Sequence, residues 1–135
     1  PPPPPPPPPP STPEGCGLGY WKNHEESWEP TGHTPDDLLG NLFSFPADLE
    51  DMAEDTFTDA LRYPGGNGAD GAARLLLRDA IVAVLNATHP DVNFPLSESE
   101  IADIVNPALD SMDRDTMMDA RHEIDQHNSQ GCPLH

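Results

Sequence analysis

Arg74-Leu75-Leu76-Leu77-Arg78-Asp79-Ala80-Ile81-Val82-Ala83-Val84-Leu85-Asn86 is the one place where an otherwise acidic chain turns almost continuously apolar. From Ala80 to Leu85 no face of a helix would carry a polar side chain, and a helix that is apolar all round has to be enclosed by its neighbours. Asp70, Arg74 and Arg78 recur at every fourth position and form one narrow stripe, which is the period of a helix and not of a strand. The run is far short of the roughly 18 to 20 apolar residues that cross a bilayer. The expectation is therefore an all-α fold, one small domain built around a buried central helix over about residues 72–86.

The chain of 135 residues divides into a proline run with its hinge, residues 1–13, and a domain over residues 14–135. At 35% hydrophobic residues, the core has to be concentrated in a few amphipathic segments. Charge is lopsided, with 24 Asp plus Glu against 6 Lys plus Arg. Such a surface repels phosphate backbones and anionic lipid, which excludes nucleic acid and membrane insertion as expectations. It leaves cations, basic proteins and neutral glycans, and it suits a salty medium in which screening weakens self-repulsion.

Pro1 to Pro10 reads as a polyproline II rod, because each ring fixes φ and removes the donor a helix or sheet needs. At about 3.1 Å per residue it would reach about 30 Å. It is either a stiff spacer or a docking element for aromatic grooves or other rods; Pro1, Pro5 and Pro10 mark its candidate contact positions. The opening on proline is read as that of a mature or trimmed product.

Two cysteines, Cys16 and Cys132, bracket the domain. They are two free thiols in a reducing compartment or one disulfide in an oxidising one, and their position at the two ends favours the disulfide. Between residues 20 and 28 lie Tyr20, Trp21, His24 and Trp28. The tryptophans of so apolar-poor a domain belong to its core; the other reading is a stacking platform for a sugar or a partner. With Tyr63, these four are the interface or ligand candidates, and His24 doubles as a hydrogen-bonded structural residue.

Cys16-Gly17-Leu18-Gly19-Tyr20-Trp21-Lys22-Asn23-His24, then Leu85-Asn86-Ala87-Thr88-His89-Pro90-Asp91-Val92, and Gly131-Cys132-Pro133-Leu134 together resemble a domain of secreted and cell-surface proteins of haloarchaea and various bacteria. That family opens on Cys before Gly-Tyr-Trp-Lys-Asn-His and closes on Gly-Cys-Pro-Leu. The resemblance implies an extracellular setting and the Cys16–Cys132 disulfide, and it implies little chemistry.

Along the rest of the chain, Thr34-Pro35-Asp36-Asp37 reads as a helix opening stopped at Gly40. A second helix of about fifteen residues is expected where Leu49, Met52, Ala53, Phe57, Ala60 and Leu61 recur at three and four. Tyr63 to Gly71 reads as a loop whose Gly66-x-Gly68-x-x-Gly71 matches a dinucleotide fingerprint only nominally, since no strand precedes it. Asn86-Ala87-Thr88 is the one glycosylation acceptor sequence; Asn86 either carries a sugar or caps the end of the central helix. Ser97-Glu98-Ser99-Glu100 is a capping box opening a helix that Pro107 should kink or split, and a last helix should start near Asp113.

Tests for chemistry come out negative. His24-Glu25-Glu26-Ser27-Trp28 has tryptophan at the second ligand position of a zinc protease helix. His122 and His127 are five apart, about 140° round a helix, so no zinc site is expected. Asp110, Asp113, Asp115 and Asp119 are dense, but Met117 stands where an oxygen ligand is needed, leaving at most a weak surface calcium site and no other cofactor. No nucleophile elbow is present, and no enzyme is expected. The expected function is an extracellular structural module of a filament, stalk or surface layer that self-associates through its polyproline segment. The alternative is an adhesive module for a glycan or calcium on a polyproline spacer.

Overall fold

The computed structural model describes Pro3 and residues 13–134. The polyproline II reading, with candidate positions Pro1, Pro5 and Pro10, thus lies outside the described residues.

The apolar run forms helix α3, Gly68–Thr88, longer at both ends than the 72–86 expected. Leu76, Leu77 and every residue from Asp79 to Asn86 are buried, while Asp70 stays exposed and Arg74 and Arg78 are half-buried, so the polar stripe of the sequence is the helix's outer edge. The early start depends on Gly71: a Cβ there would lie 2.1 Å from the Gly66 carbonyl oxygen, so only glycine lets the preceding loop lie against the first turn. Two glycines of the nominal fingerprint, Gly66 and Gly71, thus serve loop–helix packing, and Gly68 supplies a positive φ of 72°. Arg114 donates to the Gly66 and Gly68 carbonyls at 2.8 and 3.0 Å, which ties this loop to the chain at residue 114.

Four helices surround α3: α1, Leu18–Asn23; α2, Phe57–Leu61; α4, Glu98–Ser111; and α5, Arg114–Asn128. Helix α5 packs along it most extensively, followed by α4 and α2. Ser97 and Glu100 close their capping box, each accepting the other's amide at 3.1 Å. Asp113 caps α5, accepting from the Thr116 amide. Pro107 does not split α4, which runs unbroken past it. It leaves the Asp103 carbonyl without its usual helical donor four residues on.

The segment between α1 and α2 departs from expectation. Thr34 opens no helix: its amide and hydroxyl both bond to Asp37, closing an isolated turn. The fifteen-residue helix is two pieces, a 3-10 helix Ala47–Glu54 and then α2. Thr56 and Asp59 form a second capping box between them, and the extended backbone at Asp55 and Thr56 pairs with residues 37–39, Leu39 donating to the Asp55 carbonyl at 2.9 Å and Phe57 to the Asp37 carbonyl at 2.8 Å. Tertiary backbone pairing here overrides a helical hydrophobic period.

Cys16 and Cys132 are disulfide-bonded with their Cα atoms 4.4 Å apart. Gly15 donates to the Gly131 carbonyl at 3.0 Å beside them, so the chain enters and leaves the domain at one point. The fold is all-α and disulfide-closed; among the described residues the only β pairing is two isolated bridges, and no helix is long and apolar enough to cross a membrane.

Candidate functional site

Asn86 lies inside α3, fully buried at 0% exposure. Its Oδ1 accepts from the Cys16 amide at 2.8 Å and from the Trp21 indole at 3.1 Å, and its Nδ2 donates to the Cys16 carbonyl at 2.8 Å and to Asn128 Oδ1 at 3.2 Å. It is neither a helix cap nor a sugar acceptor in this fold: both amide hydrogens are committed and no solvent reaches Nδ2. The seam continues as Asn128 donates to the Asp79 carbonyl at 3.1 Å. The Asp79 carboxylate, itself buried, takes Arg121 Nε at 2.6 Å and Arg78 Nε at 3.2 Å. One polar line therefore ties the disulfide, α1, α3 and α5 together through the core.

This seam fixes which rings of the 20–28 stretch remain accessible. Trp21 and Trp28 are 0% and 2% exposed, and the Trp28 indole donates to the Trp21 carbonyl at 3.0 Å. They are core: Trp21 offers no face to a ligand and Trp28 only the sliver that lines the cleft beside His33, which corrects their place among the interface candidates. Tyr20 is half-buried, edge-on to Trp21 and stacked on His24 with centroids 4.5 Å apart. Its hydroxyl is 2.7 Å from Ser27 Oγ. His24 Nδ1 meets Glu26 Oε1 at 2.9 Å, and that hydrogen bond holds the Glu26 carboxyl below its ordinary range. Tyr20 and His24 are the pair of aromatic rings that the motif leaves at the surface. Tyr63 is separately tied down: its hydroxyl donates to Asp55, and burial followed by that carboxylate pushes the phenol far up.

Sequence reasoning missed His33. Its Nδ1 lies 3.1 Å from Asp37 Oδ2 and its Nε2 3.5 Å from Glu98 Oε1, with the ring 5.2 Å from that of Phe57, so it bridges the 31–37 turn to the start of α4. Burial opposes the charge on Asp37, but the Thr34 hydroxyl and amide, with His33, outweigh it and hold the carboxyl low. The His33-x-x-x-Asp37 spacing was the available signal, hidden because the segment read as the start of a helix. Beside it a cleft of about 310 Å³ opens between Trp28, His33 and Pro35, with Glu25 and Glu29 at its edge.

No group of three or more His, Cys, Asp or Glu side chains able to hold a metal occurs among the described residues. Of the aspartates weighed for calcium, Asp113 is committed to the α5 cap, where the Thr116 hydroxyl and amide hold its carboxyl low. His122 is exposed while His127 packs edge-on to Phe94, centroids 6.2 Å apart. Both cysteine sulfurs are in the disulfide. Comparison with protein-family models, curated proteins and solved structures gave no match.

Proposed function

We propose that this chain is a non-enzymatic extracellular structural module, a disulfide-closed helical domain carried on a polyproline segment within a filament, stalk or surface layer. The observation that carries the reading is the closure itself. A disulfide spanning 116 positions and a backbone pair beside it bring the two ends of the domain to one point, and in the sequence a ten-proline run precedes that point by a few residues. Tension or packing forces delivered along the rod then act on a covalent clasp and not on the helical core. The disulfide also supports an oxidising compartment. The Gly-Tyr-Trp-Lys-Asn-His and Gly-Cys-Pro-Leu motifs support the secreted setting, and the acidic surface supports a salty one.

In this reading the contact between copies is made by proline rings on Tyr20 and His24, the motif's surface rings, since proline rings stack well on aromatic faces. The full chain is expected to assemble into oligomers or filaments visible by electron microscopy and sedimentation. Deleting Pro1 to Pro10 should leave a folded monomer with unchanged helical circular dichroism. Assembly that persists in the truncated chain would sink the proposal.

A further inference from the structure

Helices α4 and α5 do not close on each other along their whole length. Where Ala108 faces Ala120, two small side chains leave a groove of about 380 Å³, with half-buried Ile104 as its third apolar wall. That volume suits one or two aliphatic side chains and is at the lower end of the range for binding pockets. Asp103 edges it from α4, and Asp119 and Glu123 from α5, all three exposed. Asp119 and Glu123 are one helical turn apart, so their charges repel each other. Among the described residues no Lys, Arg or His forms an ion pair with any of the three. Pro107 also lines the groove.

An apolar floor inside an acidic rim calls for an apolar side chain flanked by cations. The chain itself is a poor source of that partner. Arg78 and Arg121 are held by Asp79, Arg74 bonds the Pro64 carbonyl, and Arg114 bonds the carbonyls of Gly66 and Gly68. Only Lys22 and Arg62 remain to a second copy, against a net charge of −18. We infer that the α4–α5 groove docks a short amphipathic helix of a different, basic protein, which seats an aliphatic side chain on Ala108 and Ala120 and places Lys or Arg against Asp103, Asp119 and Glu123.

The test titrates the full chain with a synthetic amphipathic Leu-Lys helical peptide and its Leu-Glu counterpart by calorimetry, with nuclear magnetic resonance shifts to locate the contact. Saturable one-to-one binding of the Leu-Lys peptide alone is expected, with shifts at Ile104, Ala108 and Ala120. Asp119→Asn with Glu123→Gln should weaken it about tenfold, the scale of two well-placed surface ion pairs. Removing the same charge elsewhere, by Glu50→Gln with Asp51→Asn, should leave affinity within about twofold. Circular dichroism of each variant establishes that it folds. Equal weakening by both pairs of substitutions would mean the peptide reads only the overall field. Displacement of the peptide by stoichiometric calcium would make the rim a cation site, and a dimer abolished by the Asp119 and Glu123 substitutions would make the groove a self-interface. Each of these three results, like absent binding, overturns the inference.

Discussion

Replacing Asn86 by alanine would strip partners at once from the Cys16 amide and carbonyl, the Trp21 indole and the Asn128 side chain. Each buried group left unsatisfied costs about 1 to 3 kcal/mol, and partial relaxation keeps the total below the sum, so a loss of about 3 kcal/mol is expected. The isosteric Asn86→Asp should fare no better, because it keeps the two accepted bonds but turns a carboxylate towards the Cys16 carbonyl and Asn128 Oδ1. Urea unfolding followed by the fluorescence of Trp21, which shares the bond, measures both. A variant as stable as the parent would show that the seam is not what holds these elements in register. None of this was readable from the local sequence. Asn-Ala-Thr-His-Pro looks like a helix end or a sugar acceptor, whereas the partners of Asn86 are 70, 65 and 42 positions away.

At the scale of elements, legibility follows how locally each one is determined. Helices α3, α4 and α5 were readable because their signals, an apolar period and a Ser or Asp cap, lie within a few residues of one another. Residues 37–57 were not, because their conformation is set by a pairing between residues 37–39 and 55–57 that no periodicity announces. The Thr56–Asp59 capping box was present in the sequence but concealed within an apparently continuous helix. Caps and turns closed by carboxylates also make the elements sensitive to acid. Asp113 and Asp37 both have carboxyls held below the ordinary range, so the folded state binds their protons less readily than the unfolded chain does. Their stabilisation is complete above the unfolded carboxylate pKa of about 4 and disappears as pH falls through the lower folded value. Asp113→Asn keeps a capping acceptor without the charge. Its stability should lie below that of the parent at pH 6, and the two curves should converge as the pH drops under 4, as read from urea midpoints across the range. Parallel curves would mean that the charge on the cap contributes nothing.

For the whole molecule, the opposition is between a net charge of −18 that drives the chain apart and a single covalent clasp that prevents it from expanding. In the chain-entropy picture a disulfide spanning 116 positions stabilises the fold by about 5 kcal/mol. Repulsion among carboxylates is screened by salt, the Debye length falling from about 10 Å at 0.1 M to about 3 Å at 1 M. The two effects act on the same unfolded ensemble, so they should be coupled. A chain with Cys16→Ser and Cys132→Ser unfolds into coils free to swell under their own charge, whereas the closed loop cannot. The serine variant should therefore be markedly less stable than the parent at low salt, and adding sodium chloride to 1 M should raise its Tm by more than it raises that of the disulfide-bonded protein. Thermal melts of both proteins over a salt series decide it. Identical salt slopes would mean that the acidic surface is neutralised site by site and exerts no collective pressure on the fold, which would remove the physical reason for pairing so acidic a domain with a disulfide between its ends.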